Sequence, residues 1–154
     1  MQDQLVGRFD GQLDEVRAAP AEIGRLELIV RRPASEEREV LEEAELDLTL
    51  GLVGDAWATR IPELTPVYMD AQLTVISTRV LAAIEPDRER WPLAGDQLYV
   101  DFDLSVGNLP AGTRLAIGSA VIEVGETPHT GCAKFNARIV TAGTVRLGDA
   151  IRKV

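Results

Sequence analysis

The chain has 154 residues, 45% hydrophobic, with a formal net charge of −9 and a pI near 4.6. That length and apolar content suit one globular domain with a full core. The acidity opposes binding to a polyphosphate backbone, which needs a concentrated basic face, and no apolar run reaches bilayer-spanning length.

The N-terminus Met1-Gln2-Asp3-Gln4 has no basic region before an apolar stretch, so an untargeted chain is expected. Asp10 to Ala19 reads as a short helix, capped by Asp10 and stopped by Pro20. Residues 1–25 form this lead-in, and 26–154 the main body. Leu26-Glu27-Leu28-Ile29-Val30 reads as a strand ending at Arg31-Arg32-Pro33. The glutamate-dense stretch from Ser35 to Glu45 is expected to be a solvated helix or an acidic loop. Leu46 to Leu50 alternates as a strand and runs into the glycine turn Gly51-Leu52-Val53-Gly54-Asp55.

Leu73 to Ile76 predicts another strand. Ser77 is placed to cap a helix burying Val80, Leu81 and Ile84, which Pro86 ends. The strongest strand pattern is Leu98 to Leu104, with Leu98, Val100, Phe102 and Leu104 on one core face. Arg114–Ile117 and Ala120–Val124 predict a hairpin through Gly118-Ser119, where glycine supplies the positive φ. Gly143 to Val154 reads as one or two strands around Gly148-Asp149. Trp57 and Trp91 suit core or interface positions. Short strands between Gly/Pro turns predict a mainly β fold, a barrel or sandwich with a few short helices.

The sole cysteine, Cys132, lies in Thr127-Pro128-His129-Thr130-Gly131-Cys132-Ala133-Lys134-Phe135, beside the sole histidine and one of two lysines. Pro128 and Gly131 favour an irregular, exposed backbone. A neighbouring imidazolium or ammonium favours thiolate, which makes Cys132 a nucleophile or a soft metal ligand. One cysteine and one histidine cannot supply a structural zinc set. A cysteine hydrolase brings its histidine from a distant part of the chain, and no internal disulfide is available. A reducing compartment, most simply the cytoplasm, is expected. For a small anionic ligand, Arg60, Arg79 and Arg138 are the candidate cations.

Taken in order, Gly51-Leu52-Val53-Gly54-Asp55, Gln72-Leu73-Thr74, Gly95-Asp96-Gln97-Leu98, Asp103-Leu104-Ser105, Asn108-Leu109-Pro110 and Pro128 to Phe135 resemble a MOSC domain. This domain is found at the C-terminus of molybdenum cofactor sulfurases and as small stand-alone bacterial proteins. The resemblance runs from about Leu26 to the end. It implies a MOSC-type β-barrel that binds the molybdenum cofactor, a molybdopterin. It also implies that Cys132 either ligates molybdenum or carries sulfur as a persulfide. His129 is then a catalytic candidate beside Cys132. Lys134, Asn108, Ser105, Gly54, Asp55 and Arg138 are the cofactor-binding candidates. One departure stands out: Phe135 passes almost at once to Asn136-Ala137-Arg138-Ile139-Val140, resembling the family's closing strand, where members carry a longer stretch with a helix. That puts one wall of the pocket in question.

Three functions follow. The first is a molybdenum-cofactor-binding protein, as an oxidoreductase acting on N-hydroxylated compounds. The second is a sulfur carrier with a persulfide on Cys132, fed by a separate cysteine desulfurase because no pyridoxal phosphate site is evident. The third is a non-catalytic β-barrel binding module. With no flavin, haem or iron–sulfur motif, redox turnover needs an external electron-transfer protein.

Overall fold

A computed structural model describes residues 14–34, 36–58, 72–126 and 133–154. Its strands are β1 (Ile23–Arg31), β2 (Glu39–Leu41), β3 (Glu43–Asp47), β4 (Gly51–Leu52), β5 (Leu73–Ser77), β6 (Leu98–Asp101), β7 (Arg114–Ile117), β8 (Ala120–Val124), β9 (Lys134–Thr141), β10 (Gly143–Arg146) and β11 (Ala150–Lys153). The larger sheet runs β11-β7-β8-β9-β5-β6-β1-β2, and β11 also pairs with β1. That pairing closes a seven-stranded barrel, with β2 appended to β1. Closure removes the open edges that would otherwise pair with other chains. The mainly β expectation holds.

Alternation along the strands decides what faces inward. Leu26, Val75, Leu98, Val100, Leu115, Ile122, Phe135, Ala137 and Ile151 fill the barrel. The small sheet β10-β3-β4 adds Ala44, Leu46, Leu52 and Val145 to the same core. It packs at the end where β1 finishes and β5 and β6 start. There the Gln72 amide donates to the Leu48 carbonyl at 2.7 Å and its oxygen accepts from the Ile139 N–H at 2.9 Å. At the opposite end β1 and β9 begin, and β5, β6, β8 and β11 finish.

Strands β5 and β6 are parallel, so the chain needs a crossover between them. Helix α1 (Thr78–Ile84) and a 3-10 helix (Arg88–Ala94) supply it. The Ser77 hydroxyl caps α1 by accepting from the Val80 N–H. A second cluster, Leu28, Val30, Ile76, Leu81, Trp91 and Tyr99, joins these helices to the outer face of β1, β5 and β6. The Tyr99 hydroxyl donates to the Trp91 carbonyl at 3.0 Å, and the Trp91 indole donates to the Glu85 carbonyl at 2.9 Å.

Several local expectations are met. The hairpin of β7 and β8 has the predicted bounds, with Gly118 at φ 56°. Residues 14–17 are helical ahead of Pro20, while 10–13 of the expected helix lie outside the described residues. Trp57 and Trp91 are buried.

Other expectations need correction. The stretch from Ser35 to Glu45 is neither helix nor plain loop, because β2 pairs with the end of β1 and β3 pairs with β10. Strand β3 stops at Asp47 rather than continuing to Leu50. The Asp47 carboxylate accepts from the Thr49 and Leu50 N–H groups and turns the chain. In α1 only Leu81 of the three expected apolar residues is buried, and Ile84 is 73% exposed. The strand from Leu98 stops at Asp101. Phe102 and Leu104 still enter the core, but from a turn in which the Asp103 carboxylate accepts from the Ser105 N–H. After Phe135 the chain continues in the same strand, β9 running unbroken from Lys134 to Thr141.

Candidate functional site

Cys132 and His129 lie outside the described residues, as does Arg60. What the structure does describe is the root of their segment. The Ala133 carbonyl accepts from the Ser77 N–H at 2.8 Å, which pins the start of β9 to the end of β5. Alternation along β9 then sends Phe135 inward and leaves Lys134 and Arg138 on the outer face.

Lys134 reaches a buried acid. Its Nζ lies 3.8 Å from Oδ1 of Asp96, whose residue is only 3% exposed. Asp96 precedes β6 in the segment Gly95-Asp96-Gln97-Leu98. Gly95 ends the 3-10 helix in the left-handed conformation, φ 81°, which favours glycine there. Its carbonyl accepts from Nη1 of Arg32 at 3.0 Å. A Cβ added to Gly95 would sit 3.5 Å from Nη2 of Arg38, so a second guanidinium borders the same turn. Thr74 bonds the Asp96 carboxyl from β5, and its Oγ1 accepts from the Gln97 N–H.

Two of the atoms here are buried without a hydrogen-bond partner among the described residues: Oδ2 of Asp96 and Nε2 of Gln97. The Arg38 Nε is in the same condition. Such atoms are uncommon in folded proteins and call for a specific reason. Burial pushes the Asp96 carboxyl above its ordinary range, and the attraction of Lys134, the Thr74 hydrogen bond and the Arg32 charge offset only part of that. At 3.8 Å the lysine is too far for a direct hydrogen bond, so the ion pair does not cancel the cost of desolvation.

A buried acid that favours its proton makes the folded state weaker as pH rises. Below the unfolded pKa the penalty is absent, and it grows as pH climbs through the folded value. Asp96→Asn is therefore expected to stabilise the protein near neutral pH, by removing a carboxylate that burial penalises. The gain is expected to vanish near pH 4, and urea titrations at the two pH values check it. An unchanged or lower stability at neutral pH would remove Asp96 as a strained group.

Asp55 behaves in the opposite way. Its side chain is fully buried and holds Arg32 through two contacts, Nε to Oδ1 at 3.1 Å and Nη2 to Oδ2 at 2.9 Å. It also accepts from the backbone N–H of Arg32 at 2.8 Å and of Trp57 at 3.0 Å. Burial alone would raise this carboxyl, but the hydrogen bonds from Arg32 and Trp57 outweigh it and hold it below the ordinary range. Gly54, at φ 89°, brings the turn up against the Arg31 side chain. Gly54 and Asp55 therefore join the end of β1 to the Gly95 turn, one residue from Asp96.

Ser105 and Asn108 sit at the opposite barrel end, in the turn leaving β6, the end at which β8 stops and β9 starts. The Asn108 amide donates to the Asp103 and Ala21 carbonyls at 2.8 and 3.1 Å, and its oxygen accepts from Lys153 at 2.6 Å. The Ser105 carbonyl accepts from the N–H groups of Asn108 and Leu109. Arg138 faces Glu123 across β8 and β9 and is ion-paired with it. Arg79 is held by Asp101 at 2.6 Å. The structure thus pairs Lys134 with Asp96 and sets Gly54 and Asp55 beside the Gly95 turn through Arg32, while Ser105 and Asn108 lie at the barrel end where β9 begins and Arg138 is paired with Glu123. Sequence reading passed over Arg32, Arg38 and Asp96 as site residues. The available signal was the segment Gly95-Asp96-Gln97-Leu98, which places an acid two residues before the strongest strand.

No family model matches the sequence, and no curated protein matches it. Solved structures do. YuaD from Bacillus subtilis superposes with a TM-score of 0.63 at 16% identity, over 84% of this chain and 94% of that one. YiiM from Escherichia coli gives 0.56 at 19% identity, over 84% and 69%. YiiM from Geobacillus stearothermophilus gives 0.57 at 11% identity, over 85% and 75%. These small bacterial proteins have the MOSC-type fold, and at such identities the likeness shows a shared fold.

Proposed function

We propose that this MOSC-type barrel binds the molybdenum cofactor, with Cys132 as the molybdenum ligand, and acts as an oxidoreductase on N-hydroxylated compounds. The single observation that carries the reading is the Lys134–Asp96 cluster. It sits two residues from Cys132 in the chain and contains a buried carboxylate oxygen with no partner among the described residues. The donor set fits the group. A pterin carries N–H donors that suit a carboxylate acceptor, and its phosphate suits cations such as Lys134 and Arg38. A thiolate at Cys132 suits a soft metal.

When bound, the cofactor supplies a metal centre able to exchange electrons with substrate. The chain's own residues hold and orient it. Lys134 and Arg38 offer positive charge to its anionic arm. Asp55 fixes Arg32 against the Gly95 carbonyl, which holds the turn carrying Asp96 in place. His129 serves as the proton-exchanging group beside Cys132, since imidazole titrates near neutral pH. Electrons come from a separate transfer protein.

The test is production in a host that makes the cofactor, with molybdenum and pterin measured per chain. Near-stoichiometric metal is expected for the native sequence, falling at least tenfold in Cys132→Ser, as for loss of a first metal ligand. Metal-free protein carrying sulfane sulfur on Cys132 would replace this reading with persulfide transfer, and absence of metal, pterin and sulfur would leave a binding module.

A further inference from the structure

We propose that the outer face of β7, β11 and the start of β1 is the docking surface for an acidic electron-transfer protein, held by Arg25, Arg114 and Arg152. The partner's role rests on the oxidoreductase reading, which takes its electrons from a separate protein.

Strand register places the three arginines together. Arg152 of β11 pairs with Ile23 of β1 on one side and with Ala116 of β7 on the other, and Ala150 pairs with Arg25. Arg25 lies two residues after Ile23, and Arg114 two residues before Ala116. Alternation therefore puts all three arginines on one face, with Arg152 diagonal to the other two. Diagonal neighbours of this kind are roughly 7 to 8 Å apart, within reach of long side chains.

All three are exposed, and none forms an ion pair or a side-chain hydrogen bond among the described residues. The acids across the sheet from two of them are already taken. Asp101, opposite Arg25, is held by Arg79 at 2.6 Å, and Glu123, opposite Arg114, is held by Arg138. Beside the arginines lies a hollow of about 400 Å³ whose walls include Ile23, Ala116, Ala150 and Arg152. The acid in its wall, Asp149, turns Oδ2 to the Arg146 N–H at 2.7 Å. Ile23 is 59% exposed, and so is 68% of Val154, whose N–H donates to the Arg114 carbonyl. Arginines set among exposed apolar side chains have the make-up of a protein interface.

Charge and position decide the partner. With a net charge of −9, most of the chain repels an acidic protein, so a single cationic face orients such a partner as well as attracting it. Strands β7, β11 and the start of β1 are paired on both sides within the barrel, so no free edge is offered to an added strand and recognition falls to side chains. Arg114 stands at the barrel end where β8 stops and the chain continues towards Cys132, the metal ligand of the oxidoreductase reading. A carrier seated on this face abuts that end. Such redox contacts are small, transient and sensitive to salt.

The probe is a plant-type iron–sulfur ferredoxin with a carboxylate-rich surface, titrated into isotope-labelled native protein. Amide NMR signals that shift at low salt are expected to fall on β7, β11 and the start of β1. Affinity is expected to drop at least about tenfold between ~0.02 and ~0.2 M salt, as screening shortens the reach of exposed charges. Arg152→Glu is expected to weaken binding at least about tenfold, since an attraction is replaced by a repulsion. Arg90→Glu makes the same change in net charge on the 3-10 helix and is expected to alter affinity less than about threefold. No binding at low salt, shifts centred on another face, or equal losses in the two variants would each overturn the proposal. So would tighter binding of a short DNA duplex than of ferredoxin, which would make the face a polyanion site. Salt-sensitive self-association abolished by Arg152→Glu would assign it instead to a second copy of the chain. The shift map uses native protein and decides the location even if a variant does not fold. Cys132→Ser and protein made without molybdenum are both expected to bind ferredoxin normally. Arg152-dependent binding beside a failed metal assay would count against the cofactor alone, and metal-loaded protein that ignores ferredoxin would count against the docking surface alone.

Discussion

Asp55→Asn is expected to destabilise the protein by about 3 kcal/mol at neutral pH, the scale for breaking one side of a buried ion pair. The side chain is fully buried and accepts from both ends of the Arg32 guanidinium and from two backbone N–H groups. Asparagine keeps one acceptor oxygen and presents an NH2 group to donors that already have hydrogens, so at least one bond is replaced by a clash of like dipoles. Arg32, with 28% side-chain exposure, recovers part of its hydration, which keeps the loss at the lower end of the range for such pairs.

The pH dependence gives a second check. The folded pKa of Asp55 lies below the ordinary 3.8, so its stabilisation is fully present above that value and is lost as pH falls through the lowered one. The gap between native protein and Asp55→Asn is expected to be wide at pH 7 and to narrow below about pH 4. Urea unfolding across that range measures it. A gap under about 1 kcal/mol at pH 7, the value of an exposed pair, would mean that the Gly54-Asp55 turn is held by other contacts.

Phe135→Ala is expected to cost about 4 kcal/mol, the middle of the range for emptying a buried aromatic site. Phe135 is 2% exposed, lies in the main core cluster and pairs with Val75 of β5. The barrel offers little freedom to collapse onto the void, because β9 is hydrogen-bonded to β5 on one side and β8 on the other. Chemical denaturation with circular dichroism gives the value. Phe135 also anchors the start of β9 beside Lys134, the residue that reaches Asp96. A loss below about 2 kcal/mol would show that neighbouring side chains refill the space.

The local pattern of the chain was enough for the hairpin at Gly118-Ser119, the cap at Ser77, the inward face of Leu98, Val100, Phe102 and Leu104, and the mainly β class. Each rests on period, cap or turn chemistry acting within a few residues. The rarity of Cys132, His129 and Lys134 in one segment was equally visible in the sequence. The glutamate-rich stretch defeated local reading because its polarity matches a solvated helix. It became strand only by pairing with β1 and β10, residues distant along the chain.

The grouping of Lys134 with Asp96, Arg32 with Asp55, and Arg38 with Gly95 was likewise decided by tertiary structure alone. Lys134 and Asp96 are far apart in sequence, and only the parallel β5–β6 pair beside β9 brings them within 3.8 Å. Composition fixes which charges exist. Burial sets what they cost, and burial is a property of the closed barrel: in Asp96 and Asp55 it meets two identical carboxyls with opposite results, because one has four hydrogen-bond contacts and the other leaves an oxygen with no partner among the described residues.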